Sequence, residues 1–127
     1  MNIICNKHAL IDAVGNVGHA VSAKSTLPAL EGILIKSSDN SLFLAGYDLD
    51  MGITTTIEAT VREPGAVVLN ARLFGEIVRR LPDESVYIST DEKLGATIRS
   101  GKSEFTIMGI SADEYPEIPS VSDGAGF

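Results

Sequence analysis

Three basic residues have side-chain types and spacing that suggest a binding site for an anionic ligand. Arg72 and Arg79 lie seven residues apart in a segment with helical periodicity, so they are nearly superposed along one helix face. Arg72 falls in the first turn, where free backbone N–H groups and a guanidinium together form a phosphate-sized anion site. Lys24 is the cation at the centre of a connection made of small residues. The alternative is that both arginines are solvated and pair with Glu76 at helical spacing.

The other polar residues do not form a recognisable active site. Asp48 and Asp50 could bind a hard cation, because carboxylates at i and i+2 of an extended segment share a face, but no third acidic ligand follows at a useful spacing. His8 and His19 have no Cys or carboxylate partner at metal-binding spacing. No nucleophile motif surrounds a serine, and Cys5 lies in an apolar strand, where a thiol is inert. The sequence therefore predicts no catalytic activity, no metal and no cofactor.

Hydrophobic periodicity predicts two helices that would position the cations. Residues 8–21 contain apolar side chains that step by three and four, with two glycines that weaken the end of the helix. In the segment 69–82, Asn70 is a suitable N-cap, and Pro82 ends the helix because it disfavours the α conformation of the residue before it. The apolar stripe predicted for this second helix is Leu73, Phe74, Ile77, Val78 and Leu81.

Strand-forming segments complete each half of the chain. The order strand, helix, strand, strand, strand is predicted from Asn2 onward and again from Ala66 onward, although identity between the halves is slight. The segment 46–50 is predicted as a break between strands. We therefore predict an α+β fold, a duplicated strand-helix-strand-strand-strand unit with two helices packed on antiparallel sheets. If the helices lie side by side, the three cations share one face.

Composition limits the class of protein. The 127 residues, with 44% hydrophobic and 21% charged side chains, are typical of one soluble globular domain. The sequence has no apolar run of membrane length, no signal-peptide pattern and a single cysteine, so we expect a cytoplasmic protein. The net charge of −7 is unusual for an indiscriminate nucleic-acid binder, but it is compatible with a local basic surface on an acidic body.

Six short motifs resemble those of one family. The bacterial DNA polymerase III sliding clamp (the beta subunit) has, in the same order, motifs similar to TLPAL (26–30), GYDLDM (46–51), EPGA (63–66), NARLF (70–74), RSGKS (99–103) and DEYP (113–116). The resemblance covers the whole chain and corresponds to the N-terminal domain of the three in that family. It implies that residues 1–119 form the first domain and that residues 120–127 are a linker toward a missing second domain.

The resemblance implies a non-catalytic processivity factor. In this family, two subunits close head to tail into a ring around duplex DNA, with helices lining the hole, and the ring tethers the replicative polymerase. Cations at the positions of Lys24 and Arg72 contact DNA without reading its sequence. Arg79 is added to this set from its place on the same helix face. The polymerase and the clamp loader are expected to bind through domains that are absent here.

The resemblance also assigns a subunit interface to the last predicted strand. Lys102, Phe105 and Ile107 match the edge that contacts the third domain of the partner subunit, and alternation places the two apolar residues on one face. Without the resemblance, ordinary core positions explain the apolar pair equally well. Glu104 departs from the family, in which a basic residue is common at this position, so the salt-bridge pattern of the interface is expected to differ.

Two other functions stay open from the sequence. A β-rich interaction module could associate with itself through an exposed last strand and have no role on DNA. A metal-dependent transferase would use Asp48 and Asp50 as ligands, although two carboxylates alone are a weak indication of such a site.

Overall fold

The computed structural model describes residues 1–21 and 28–117, which contain eight β-strands, two α-helices and two short 3₁₀ helices. No helix within these ranges is long and apolar enough to cross a membrane. The strands are β1 Asn2–Asn6, β2 Gly32–Ser38, β3 Ser41–Tyr47, β4 Gly52–Glu63, β5 Gly65–Asn70, β6 Ser85–Thr90, β7 Gly95–Ser100 and β8 Ser103–Met108. The helices are α1 Lys7–Gly18 and α2 Ala71–Arg79, and the 3₁₀ helices are Pro28–Glu31 and Ala112–Glu114.

The elements repeat in the predicted order, β1-α1-β2-β3-β4 followed by β5-α2-β6-β7-β8. Within the described residues the strands form one antiparallel sheet with the order β5-β2-β3-β4-β1-β6-β7-β8. The two halves exchange strands, because β5 pairs with β2 of the first half and β1 pairs with β6 of the second. The predicted α+β fold and its duplication are therefore confirmed, and the halves are interleaved.

The long strand β4 joins the two parts of the sheet. Residues 52–58 pair with β3, whereas residues 59–63 pair with β1. After β8 the chain returns to β5, where the backbone N–H groups of Val68 and Ile110 each donate to the carbonyl of the other residue at 2.9 Å. These bonds bring the end of β8 beside the strand at the opposite end of the sheet order.

The main hydrophobic core lies between the helices and one face of the sheet. Side chains of a strand alternate between faces, so Ile33 and Ile35 of β2 belong to this core while Leu34 points to the other side. Both helices and strands from both halves contribute, which makes the core common to the duplicated units. Its largest fully buried side chains are Ile3, Leu10, Val17, Ile33, Ile35, Leu42, Leu44, Leu69, Phe74, Ile88 and Ile98.

A smaller apolar cluster covers the opposite face of β2 and β3. Leu30, from the first 3₁₀ helix, and Tyr115, which follows the second, pack here with Tyr47. The Tyr115 hydroxyl donates to the backbone carbonyl of Ala45 at 3.4 Å, and burial raises the pKa of this phenol to about 12. The cluster fastens the segment after β8 to the first half of the chain.

Two turns fix the ends of β3, and one of these ends differs from the sequence prediction. Asp39 and Asn40 have φ values of 47° and 59°, as a two-residue type I′ loop requires, and they join β2 to β3. The predicted break at 46–50 is wrong at its start, because β3 continues to Tyr47, which pairs with Gly52. Burial of the Tyr47 side chain in the smaller cluster favours extended pairing at this position.

Candidate nucleic-acid interface

Helix α2 is held by an N-cap at its start and by apolar packing along one side. The side-chain oxygen of Asn70 accepts a hydrogen bond from the backbone N–H of Leu73 at 3.0 Å, so the predicted N-cap is confirmed. The prediction that the Leu73 side chain belongs to the core is wrong, because it is 42% exposed. The other four predicted core residues are buried, Phe74, Ile77 and Val78 within the helix and Leu81 just after its end at Arg79, and Gly75 is buried as well.

Arg72 and Arg79 line a cleft between α1 and α2, with a volume of about 550 Å³. On the α1 side, Gly15 and Gly18 leave the surface open, because a Cβ added at either position would meet no atom of residues 1–21 or 28–117 within 4 Å beyond its own helix turn. On the α2 side, the guanidinium of Arg79 turns back over Gly75, where an added Cβ would lie 3.4 Å from Nη1. The prediction that these two arginines share one face beside the first helix is therefore confirmed.

Both arginines have donors available to a ligand in the cleft. The single salt bridge found among residues 1–21 and 28–117 joins the Met1 amine to Glu63 at 3.4 Å. Neither Arg72 nor Arg79 therefore has an acidic partner within 4.0 Å in these ranges, and the alternative pairing with Glu76 is not formed. Each guanidinium carries five N–H donors in a planar fork that matches phosphate or carboxylate oxygens.

Glu31 is a member of the cleft that the sequence did not indicate. It is half-buried at the end of the first 3₁₀ helix and lines the same cleft as the two arginines. A carboxylate at this place opposes an incoming anion. No local pattern marks it, because only the packing of the 3₁₀ segment near α2 brings it there. Gly75 also lines the cleft, and the sequence marks its position only weakly. A glycine inside a helix is unusual because it costs about 1 kcal/mol relative to alanine.

Lys24, the third predicted DNA-binding residue, lies outside the described residues. Helix α1 ends at Gly18, and the described chain resumes at Pro28. The position of Lys24 relative to the cleft therefore stays a prediction.

Strand β8 is an edge strand of the sheet. Within the described part of the chain, it pairs with β7 on one side and with no strand on the other. Phe105 and Ile107 are half-buried against the main core, and the residues between and beyond them point outward, with Met108 68% exposed. Lys102 is exposed in the turn before the strand. The predicted alternation is confirmed, while the role of these residues in a subunit interface stays a prediction.

Comparison with known proteins extends over nearly the whole chain. Residues 1–119 match the family model described as the DNA polymerase III beta subunit, N-terminal domain. The chain belongs to this family. The N-terminal domain of the beta subunit predicted from the six motifs is therefore confirmed, and its fold of two helices and eight antiparallel strands matches that of sliding-clamp structures.

Curated relatives and solved structures agree on the family. The beta sliding clamp of Bacillus subtilis (strain 168) is 38% identical over 131 residues, which cover 97% of this chain and 35% of the relative. The beta sliding clamp of Halalkalibacterium halodurans is 35% identical over 127 residues, covering 94% and 33%. The crystal structure of the Bacillus subtilis DNA polymerase sliding clamp has a TM-score of 0.91 at 39% identity, covering 94% and 33%. The chain thus spans about a third of the length of these relatives.

The beta-subunit fold gives Asp48 a structural role that disfavours the metal-dependent alternative. One oxygen of its carboxylate accepts hydrogen bonds from the backbone N–H groups of Asp50 at 2.9 Å and Met51 at 2.7 Å. The bonds from Met51 and Asp50 lower the pKa of this carboxyl. The described residues contain no group of three His, Cys, Asp or Glu side chains that could hold a metal ion. Asp48 closes the turn between β3 and β4.

Cys5 is unsuited to nucleophilic chemistry in this sliding-clamp domain. The thiol is buried in β1, and desolvation raises its pKa to about 12. Because the thiolate is the reactive form, the side chain is protonated and unreactive near neutral pH, as the sequence predicted.

Proposed function

We propose that this chain is the N-terminal domain of a ring-shaped processivity factor that encircles duplex DNA and tethers a replicative DNA polymerase. Membership in the DNA polymerase III beta-subunit family supports the proposal, and the curated relatives are named beta sliding clamps. In this proposal the domain is not catalytic and acts in the bacterial cytoplasm. Residues 1–119 form the first domain, and residues 120–127 lead toward a second.

The cleft between α1 and α2 is the proposed DNA contact. Arg72 and Arg79 line it without an acidic partner among the described residues, and Lys24 is proposed to join them. Binding through so few phosphates is weak and salt-dependent, because log K falls with log salt by a slope of about −0.9 for each phosphate neutralised. Phosphate contacts carry no sequence information, so the ring can move along the duplex while enclosure retains it.

Ring closure is proposed to use the free edge of β8. Phe105 and Ile107 would supply the apolar part of the contact with a second clamp subunit, and Lys102 the charged rim. The side of β8 that has no strand partner among the described residues supports this role, since its backbone groups can pair with a strand of another subunit. The replicative polymerase and the clamp loader would bind through the other domains of the full-length ring.

The DNA proposal is tested by titrating the isotope-labelled chain with short duplex DNA at low salt and following amide chemical shifts. We expect shifts confined to α1, α2 and the segment around Lys24, weakened by Arg72→Ala. Arg80→Ala is the matched control, because Arg80 is exposed beside the same helix and does not line the cleft. Shifts on the exposed face of β6 and β7, or none at millimolar DNA, would contradict the proposal.

A self-associating module is the second candidate function, and it is favoured by the side of β8 that lacks a strand partner in the described ranges. Sedimentation velocity over a range of chain concentrations separates the two. The clamp proposal predicts a monomer, because the complementary surface belongs to a different domain. A dimer that is abolished by Phe105→Arg, with no DNA-dependent shifts in the cleft, would favour self-association.

A further inference from the structure

A small pocket lies on the face of the sheet that points away from the helices. It has a volume of about 110 Å³ and is referred to below as the outer arginine pocket. Its strand residues alternate in sequence with buried core residues such as Ile3, Ile88 and Ile98, so the pocket and the α1–α2 cleft lie on opposite faces. The residues that line it are Asn2, Arg62, Tyr87, Ser89, Thr97 and Arg99.

Arg62 lies on this face because its neighbour Val61 packs against the main core, and a β-bulge at this point sets its position relative to β1. In the pairing of β1 with β4, Asn2 is opposite Glu63 and Ile3 is opposite Val61, so Arg62 is the additional residue on β4. Asn2 also pairs with Ser89 of β6, which in turn pairs with Thr97 of β7, and this row of polar side chains forms the floor between the two arginines.

Arg99 is oriented by an aromatic ring. Its guanidinium carbon lies 5.3 Å from the centroid of the Tyr87 ring, which is its cross-strand neighbour. Glu104 is opposite Arg99 on β8, yet no ion pair within 4.0 Å joins them in the described structure. A guanidinium stacked on a ring keeps the N–H groups at its edge available for a planar acceptor.

We propose that the outer arginine pocket binds a carboxylate of an acidic peptide segment on a partner protein. Two guanidinium groups with hydroxyl and amide donors between them suit an oxyanion, and the pocket volume corresponds to about four water molecules at about 30 Å³ each, enough for one carboxylate. Tyr87 is 36% exposed and offers an apolar surface that a peptide side chain can cover, which a phosphate backbone does not need. The six residues that line the pocket include two cations and no acid, which gives the charge complementarity with an acidic segment.

The pocket is tested with a tetraglutamate peptide, acetylated and amidated at its ends, titrated into the isotope-labelled chain at low salt. We expect saturable shifts at the amides of Ser89, Thr97 and Arg99. Single replacement of Arg62 or Arg99 by alanine should weaken binding about threefold, as for an exposed ion pair, and the double replacement should abolish it. Arg99→Lys should bind with intermediate affinity, because lysine keeps the charge and loses the planar fork.

Further titrations identify the class of ligand and the face of the domain to which it binds. Arg72→Ala should leave the peptide titration unchanged, so failure of the outer pocket and failure of the DNA cleft are distinguishable. Inorganic phosphate or short duplex DNA that shifts the same amides as strongly as the peptide would overturn the proposal in favour of a phosphate site. Absence of saturation with the peptide, or shifts that persist in the double variant, would also overturn it.

Discussion

Adding one methyl group at Gly46 should destabilise the fold through α1. A Cβ built on Gly46 overlaps the carbonyl oxygen of Val17 and would also lie 3.1 Å from the carbonyl carbon of Val17 and 3.3 Å from Cγ2 of Val21. Two of these atoms belong to backbone, which cannot rotate away. In Gly46→Ala, the end of α1 must therefore move off β3.

The size of the effect follows from this clash. Overpacking of a well-packed site costs about 1–3 kcal/mol, so Gly46→Ala should lower the free energy of unfolding by about that amount. Strand propensity alone gives the opposite sign, since glycine in a strand is less favourable than alanine by about 0.5–1 kcal/mol. The sign of the measured change in the free energy of unfolding therefore shows whether tertiary packing or local strand propensity dominates at this position.

Gly15→Ala is the matched control, because it adds the same methyl group where no neighbouring element of the described chain comes within 4 Å. Helix propensity should then raise the free energy of unfolding by up to about 1 kcal/mol. Urea denaturation followed by circular dichroism measures both variants, and equal slopes with different midpoints show a change in stability. A neutral or stabilising Gly46→Ala would refute the close approach of α1 to β3.

Three further predictions concern single side chains. Glu31→Gln should tighten binding to short duplex DNA about twofold at low salt and less at high salt, measured by the same amide titration, because it removes a screened negative charge from the cleft. Asn70→Ala should lower the free energy of unfolding by about 1 kcal/mol in urea denaturation, because the N–H of Leu73 loses its capping acceptor. For Asp48 the folded-state pKa is lowered from 3.8, so the carboxylate stabilises the fold above that value, and this stability is lost as pH falls through the folded pKa. In acid denaturation, Asp48→Asn should therefore show a weaker dependence on pH than the parent chain.

The sequence predicts the elements of this fold well because their signals are local. The spacing of apolar residues in α2, its Asn70 cap and the Asp39–Asn40 turn all act within a few residues, and all three are present in the structure. The sequence predicts a break from Gly46 onward, but β3 continues to Tyr47. The Tyr47 side chain packs in a cluster that includes Tyr115, far along the chain, and no local pattern shows this contact.

The candidate site was predictable only in part. Arg72 and Arg79 could be placed on one face from helical spacing, and the cleft confirms that placement. Glu31 could not, because it joins the cleft through tertiary packing of a short 3₁₀ helix. Arg62 joins the outer arginine pocket, on the opposite face, through the pairing of β4 with β1, which the sequence does not reveal either.

The exchange of strands between the halves has a consequence for synthesis on the ribosome. β1 is made first, but its β6 neighbour begins only at Ser85, and β2 must wait for β5. At about 5–20 residues per second, β1 lacks that neighbour for on the order of 4 to 17 seconds after it is made. During that interval its β6-facing edge and the apolar side chains of the first half are exposed. A nascent chain stalled between the halves should therefore be a target for chaperones.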